Sequence, residues 1–108
     1  HGLENQIEGV VESGQSVVVI EDLVSTGRSS LNAVQALRDA GCNVKGMAAI
    51  FTYGLPEAEE SFRQANCILR TLTNYDFLVK KALEQNIIKD SDLQSLIKWK
   101  ENPKAWGV

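Results

Sequence analysis

The segment Val17–Ser30, VVVIEDLVSTGRSS, holds the residues whose types and order could do chemistry. Four aliphatic residues, Val17 to Ile20, run into two adjacent carboxylates, Glu21 and Asp22. A turn of small residues, Ser25-Thr26-Gly27, then leads into a helix start rich in hydroxyls. In open α/β sheets, ligands sit beyond the carboxyl ends of the strands. The first N–H groups of a helix, with nearby hydroxyls, form an anion site. Carboxylates accept hydrogen bonds from sugar hydroxyls, so an acid pair beside an anion cradle suits a sugar phosphate. Spacing alone is equally compatible with a strand that ends in solvated acids before a capped helix. No Gly-Lys-Ser/Thr follows the strand and no GxGxxG occurs, which sets aside the P-loop and the dinucleotide fingerprint.

The flanking elements must hold that segment in place. Residues 1–9 are polar and glycine-flanked and read as a loop. Val10-Val11-Glu12 is expected as a short strand, and Ser13-Gly14-Gln15 as a turn. Ser16–Ile20 shows no alternation of apolar and polar residues, which predicts a strand buried on both faces of a parallel sheet. Leu23–Gly27 reads as a loop. A helix from Arg28 to Ala40 follows, with Leu31, Val34 and Leu37 on its inner face and Gly41 as its stop. Val44–Thr52 is the next buried strand, completing a strand–helix–strand unit with parallel pairing. Pro56 opens a helix through Gln64, whose Glu57, Glu59 and Glu60 read as a solvated helix start. A third strand is expected over Cys67–Leu72. A helix from Asn74 or Tyr75 carries Phe77, Leu78, Ala82 and Leu83. Ser91 is the expected cap of the last helix, with Leu93, Leu96 and Ile97 inside and Trp99 and Trp106 as packing anchors.

Composition narrows the class. The chain has 108 residues, 44% hydrophobic and 23% charged, which is one domain's worth of globular sequence. Eleven basic against 14 acidic residues disfavour a nucleic-acid module. No apolar run approaches the roughly 20 residues of a membrane span. Residues 1–79 carry 5 basic and 10 acidic groups, and residues 80–108 carry 6 and 4, the latter reading as a solvated helix face. Cys42 and Cys67 lie far apart with no zinc-like spacing and read as reduced thiols in a cytoplasmic protein. The chain begins at His1 rather than methionine, and three strands are few for a two-faced sheet. It is therefore expected to be the carboxyl-terminal portion of a single domain, incomplete at its amino end. Such a piece, lacking its neighbouring strands, is expected to associate and to lack activity.

Four apolar residues, two acids, and a Thr-Gly loop with hydroxyls resemble the phosphoribosyl pyrophosphate motif of the type I phosphoribosyltransferases. HGLENQIEG before the motif and FTYGLPEAEE after it resemble the orotate-using members of that family. The resemblance implies a Rossmann-like α/β core with a parallel sheet, over residues 1–108, with a topological switch point after Ser16–Ile20. It implies transfer of phosphoribosyl to orotate, giving orotidine 5′-monophosphate and pyrophosphate. Glu21 and Asp22 match the pair that engages the ribose hydroxyls and steadies charge on the ring. Leu23, Val24, Ser25, Thr26, Gly27, Arg28 and Ser29 match the loop around the 5-phosphate, with Ser25 also touching orotate. Arg28 stands where a small residue is common. His1 matches the end of a mobile catalytic loop that covers the pyrophosphate and reaches the neighbouring subunit, which implies a homodimer. The resemblance also implies Mg2+ on the substrate, with no protein metal ligand assigned, and no nucleic-acid or membrane partner. A non-catalytic phosphoribosyl-pyrophosphate-binding regulator, or a transferase for another nucleobase, are the alternatives on the same fold.

Overall fold

The computed structural model describes residues 9–106. Three strands alternate with helices: β1 (Ser16–Val24), α1 (Arg28–Asp39), β2 (Asn43–Thr52), α2 (Pro56–Gln64) and β3 (Leu69–Asn74), followed by α3 (Tyr75–Glu84), α4 (Asp90–Glu101) and a 3₁₀ turn, Pro103–Ala105. The sheet order is β1-β2-β3, and both pairings are parallel, Val19 lying against Met47 and Ala49 against Thr71. The α/β class and the strand–helix–strand unit expected from the sequence are present.

Several boundaries differ from the sequence expectation. β1 continues four residues past Ile20, so Leu23 and Val24 are strand and only Ser25–Gly27 is irregular. Backbone pairing with β2 carries the acids into the ladder, Glu21 opposite Ala49 and Val24 opposite Thr52. The third strand starts at Leu69 rather than Cys67 and reaches Asn74. Val10–Glu12 is not a strand. Ser91 does not cap α4; the Asp92 carboxylate accepts the Lys89 N–H at 2.9 Å, so the helix begins earlier. Asn74 does cap α3, its side chain accepting the Phe77 N–H at 2.9 Å.

The uniform aliphatic run of β1 is not buried on both faces. Val17, Val19 and Glu21 are half-buried, whereas Val18, Ile20 and Asp22 are exposed. The covered face packs under α1 and α2, where Val24, Val34, Met47, Ala49, Leu55, Ala58, Phe62 and Cys67 form the core. On the other side Ile20 and Leu72 are 74% and 84% exposed, with Val18 and Ile50 beside them. Strand order runs in one direction with β1 at an edge, so no switch point lies among the described residues. Trp106, expected as a packing anchor, is 57% exposed. Cys42 and Cys67 are free and buried, and desolvation pushes the Cys67 thiol above its usual range. No helix among the described residues is long and apolar enough to cross a membrane.

A bare aliphatic sheet face beside an open strand edge drives association in water. The 108-residue chain expressed alone is expected to run larger than a monomer in size-exclusion chromatography with light scattering. A monodisperse monomer of 11.9 kDa would show that this face needs no cover.

Candidate active site

The parallel strands β1 and β2 point their carboxyl ends the same way, which gathers their following loops at one edge of the sheet. There the structure has a cavity of about 440 Å³, lined by Ser25 and Thr26 after β1, Tyr53 after β2, Glu57 of α2, and Trp99 and Lys104 from the carboxyl end. Trp99 is placed by an aromatic cluster: its ring centroid lies 5.2 Å from those of Tyr53 and Tyr75. Tyr75 is buried, and its hydroxyl donates to the Leu96 carbonyl at 2.8 Å, fixing α4 against the start of α3. Burial, with the Asp76 carboxylate and Tyr53 adding to it, holds the Tyr75 hydroxyl above its ordinary range. Lys100 reaches both Asp76 oxygens at 2.9 Å and closes the same corner. Trp99 is thus both the packing anchor expected from the sequence and a wall of the cavity.

Of the motif residues, Ser25 and Thr26 line this cavity, whereas Glu21 and Asp22 lie farther back, within the β1 strand. Glu21 is half-buried and Asp22 exposed, because successive strand side chains take opposite faces. The Asp22 carboxylate accepts the Leu23 N–H at 2.7 Å, and from Leu23 the exposure pattern changes phase. Val24 is fully buried, so its side chain belongs to the core and only its backbone borders the loop. Ser25 is exposed and Thr26 half-buried. Gly27 caps α1 at φ 87°, a left-handed conformation natural to glycine. Its carbonyl accepts the Leu31 N–H at 2.9 Å, the first bond of the helix. The Arg28 N–H faces Thr26 Oγ1 at 3.4 Å. Gly27 itself brings no side chain to cap α1, and N–H groups of a first helical turn lack intrahelical acceptors. Together with the hydroxyls of Ser25, Thr26 and Ser29, that turn can receive an oxyanion.

The sequence expectation for Glu57 is a solvated helix start, and it does lie in the first turn of α2. There it receives the Arg28 guanidinium at 2.9 Å and lies 4.0 Å from Lys104 Nζ. The partners are 29 residues apart in the chain, and no local pattern announces such a pair. Tyr53 and Lys104 also line the cavity, and no local sequence pattern marks either as a site residue. His1 lies outside the described residues. Among the described residues no three acidic, histidine or cysteine side chains converge as a metal cage.

No protein-family model matches the chain. It is 53% identical over 107 residues to the orotate phosphoribosyltransferase of Listeria monocytogenes, which covers 99% of this chain and 51% of that protein. The chain thus spans about half the length of the curated relatives it matches. Among solved structures, a Mycobacterium tuberculosis orotate phosphoribosyltransferase in complex with 5-phospho-alpha-D-ribosyl 1-diphosphate aligns with a TM-score of 0.56 at 34% identity, over 62% of this chain and 41% of that one. Leishmania donovani UMP synthase aligns with a TM-score of 0.74 over 91% of this chain and 22% of its own, at 23% identity, a likeness of fold.

Proposed function

We infer, from this chain's similarity to orotate phosphoribosyltransferases over about half their length, that it supplies the phosphoribosyl-binding portion of such an enzyme. The reaction moves phosphoribosyl from phosphoribosyl pyrophosphate to orotate. The bond from the ribose anomeric carbon to pyrophosphate breaks, and a bond to the base nitrogen forms. Orotidine 5′-monophosphate and pyrophosphate are the products. The carrying observation is the left-handed Gly27 cap, which starts α1 three residues after the end of the strand that carries Glu21 and Asp22.

In this reading the α1 start and the hydroxyls of Ser25, Thr26 and Ser29 hold the 5-phosphate. Glu21 and Asp22 accept hydrogen bonds from the ribose hydroxyls. Their negative charge faces a ring that becomes cationic as pyrophosphate leaves, which is electrostatic catalysis by fixed groups. Magnesium, when bound with the substrate, neutralises the leaving pyrophosphate. Ser25, on the cavity wall, faces the base. His1 belongs to the covering loop, and the working form is a cytoplasmic homodimer. The remaining half of the domain covers the bare sheet face and completes the base pocket.

Pyrophosphate release by the intact protein, assayed with orotate, uracil and purine bases, tests the reading. Release with orotate alone is expected. Release with another base would reassign the acceptor, and tight donor binding with no release would make the protein a phosphoribosyl-pyrophosphate-responsive regulator.

A further inference from the structure

We propose that Glu57 is a positioning residue for the phosphate loop, holding the Arg28 guanidinium at the cavity edge where it meets the phosphate of an incoming phosphoribosyl donor. The proposal rests on the phosphoribosyl reading above and adds to it a residue from outside the motif.

Helix α2 braces the loop at two points. The Phe62 ring lies where a Cβ on Gly27 would stand 2.9 Å from Cε2, so the loop backbone rests directly on this core side chain. One residue past Gly27, the Arg28 Nη2 donates to Glu57 Oε1 at 2.9 Å, and Glu57 itself lines the cavity with Ser25 and Thr26. Phe62 therefore sets the height of the loop, and Glu57 sets the direction of its one cationic side chain. Arg28 is 69% exposed, so without a partner its long side chain would sample many rotamers. Glu57 is 38% exposed, and its place in the first turn of α2 fixes it near that helix's positive end. Lys104 lies 4.0 Å from its second oxygen and holds the carboxylate from the other side. The pair engages one Arg28 nitrogen through a single hydrogen bond, and a guanidinium has five N–H donors. The others remain able to form charge-assisted bonds to phosphate oxygens.

Glu57→Gln keeps side-chain shape and removes the charge. In the intact protein it is expected to raise KM for phosphoribosyl pyrophosphate about three- to fivefold, the scale of an exposed ion pair. The kcat should change by less than about twofold, since the effect is on binding. Arg28→Gln should raise KM by about tenfold. The Glu57→Gln, Arg28→Gln double variant should be no worse than Arg28→Gln alone, because Glu57 acts through Arg28. Glu60→Gln is the comparison, since Glu60 pairs with Arg63 on its own helix, and should leave KM unchanged. An unchanged KM in Glu57→Gln, additive effects in the double variant, or an equal rise in Glu60→Gln would each overturn the proposal. If the unsubstituted protein neither releases pyrophosphate nor gives calorimetric heat with the donor, the functional reading falls and this proposal with it. If it does both, only the role of Glu57 is at stake.

Discussion

Glu21→Gln together with Asp22→Asn is expected to remove most of the affinity for phosphoribosyl pyrophosphate while the protein stays folded. Each charge-assisted hydrogen bond to a ribose hydroxyl is worth about 1.5–3 kcal/mol. Losing two therefore weakens binding by roughly two to four orders of magnitude. Both amides preserve side-chain shape. Asn at position 22 also keeps an oxygen to accept the Leu23 N–H that Asp22 now holds at 2.7 Å. Because the side chains of Glu21 and Asp22 are not part of the core, stability should move by no more than about 0.5 kcal/mol. Calorimetry on the intact protein measures the affinity, and a thermal melt measures the fold. Undiminished affinity for the donor would remove these carboxylates from the ribose site.

Gly27→Ala is expected to damage the cradle and the core at once. The sequence alone suggests that a larger residue here, as in Gly27→Val, abolishes phosphate binding with the core intact. The structure alters that expectation, because the space beside Gly27 is filled by Phe62, a core residue. A side chain at φ 87° costs about 1–2 kcal/mol in backbone strain. Crowding Phe62 adds about 1–3 kcal/mol. In the intact protein, about twice this length, the melting temperature should therefore fall by roughly 2–4 °C for each kcal/mol lost. Ribose 5-phosphate binding should fall with it, since the first-turn N–H groups shift with the loop. Adding Phe62→Leu to Gly27→Ala separates the two causes: the crowding is relieved, whereas the left-handed strain persists. An alanine variant that melts and binds ribose 5-phosphate like the parent would mean that the anion site lies elsewhere.

Residues with local signatures were the legible ones. Pro56 at the start of α2, Asn74 before α3, and Gly27 between strand and helix each act on neighbours within one turn, so their effect is readable from a short window. Boundaries were less legible. The ends of β1 and β3 are set by ladder bonds to β2, whose register depends on residues some 25 positions away. That is why Leu23 and Val24 looked like loop and proved to be strand.

The sequence by itself determined the alternation of strands and helices, the parallel class of the sheet, and the glycine that starts α1. These follow from short-range forces: apolar runs, backbone sterics and helix-end hydrogen bonding. Only the tertiary structure decided which face of β1 is covered. A run of four aliphatic residues favours burial equally on both sides, and the choice is made by where α1 and α2 pack. The tertiary structure also carried Trp99 and Lys104 to the cavity and joined Glu57 to Arg28. Such contacts arise when distant segments are packed together, and the energy that selects them comes from burying the whole core rather than from any pattern along the chain.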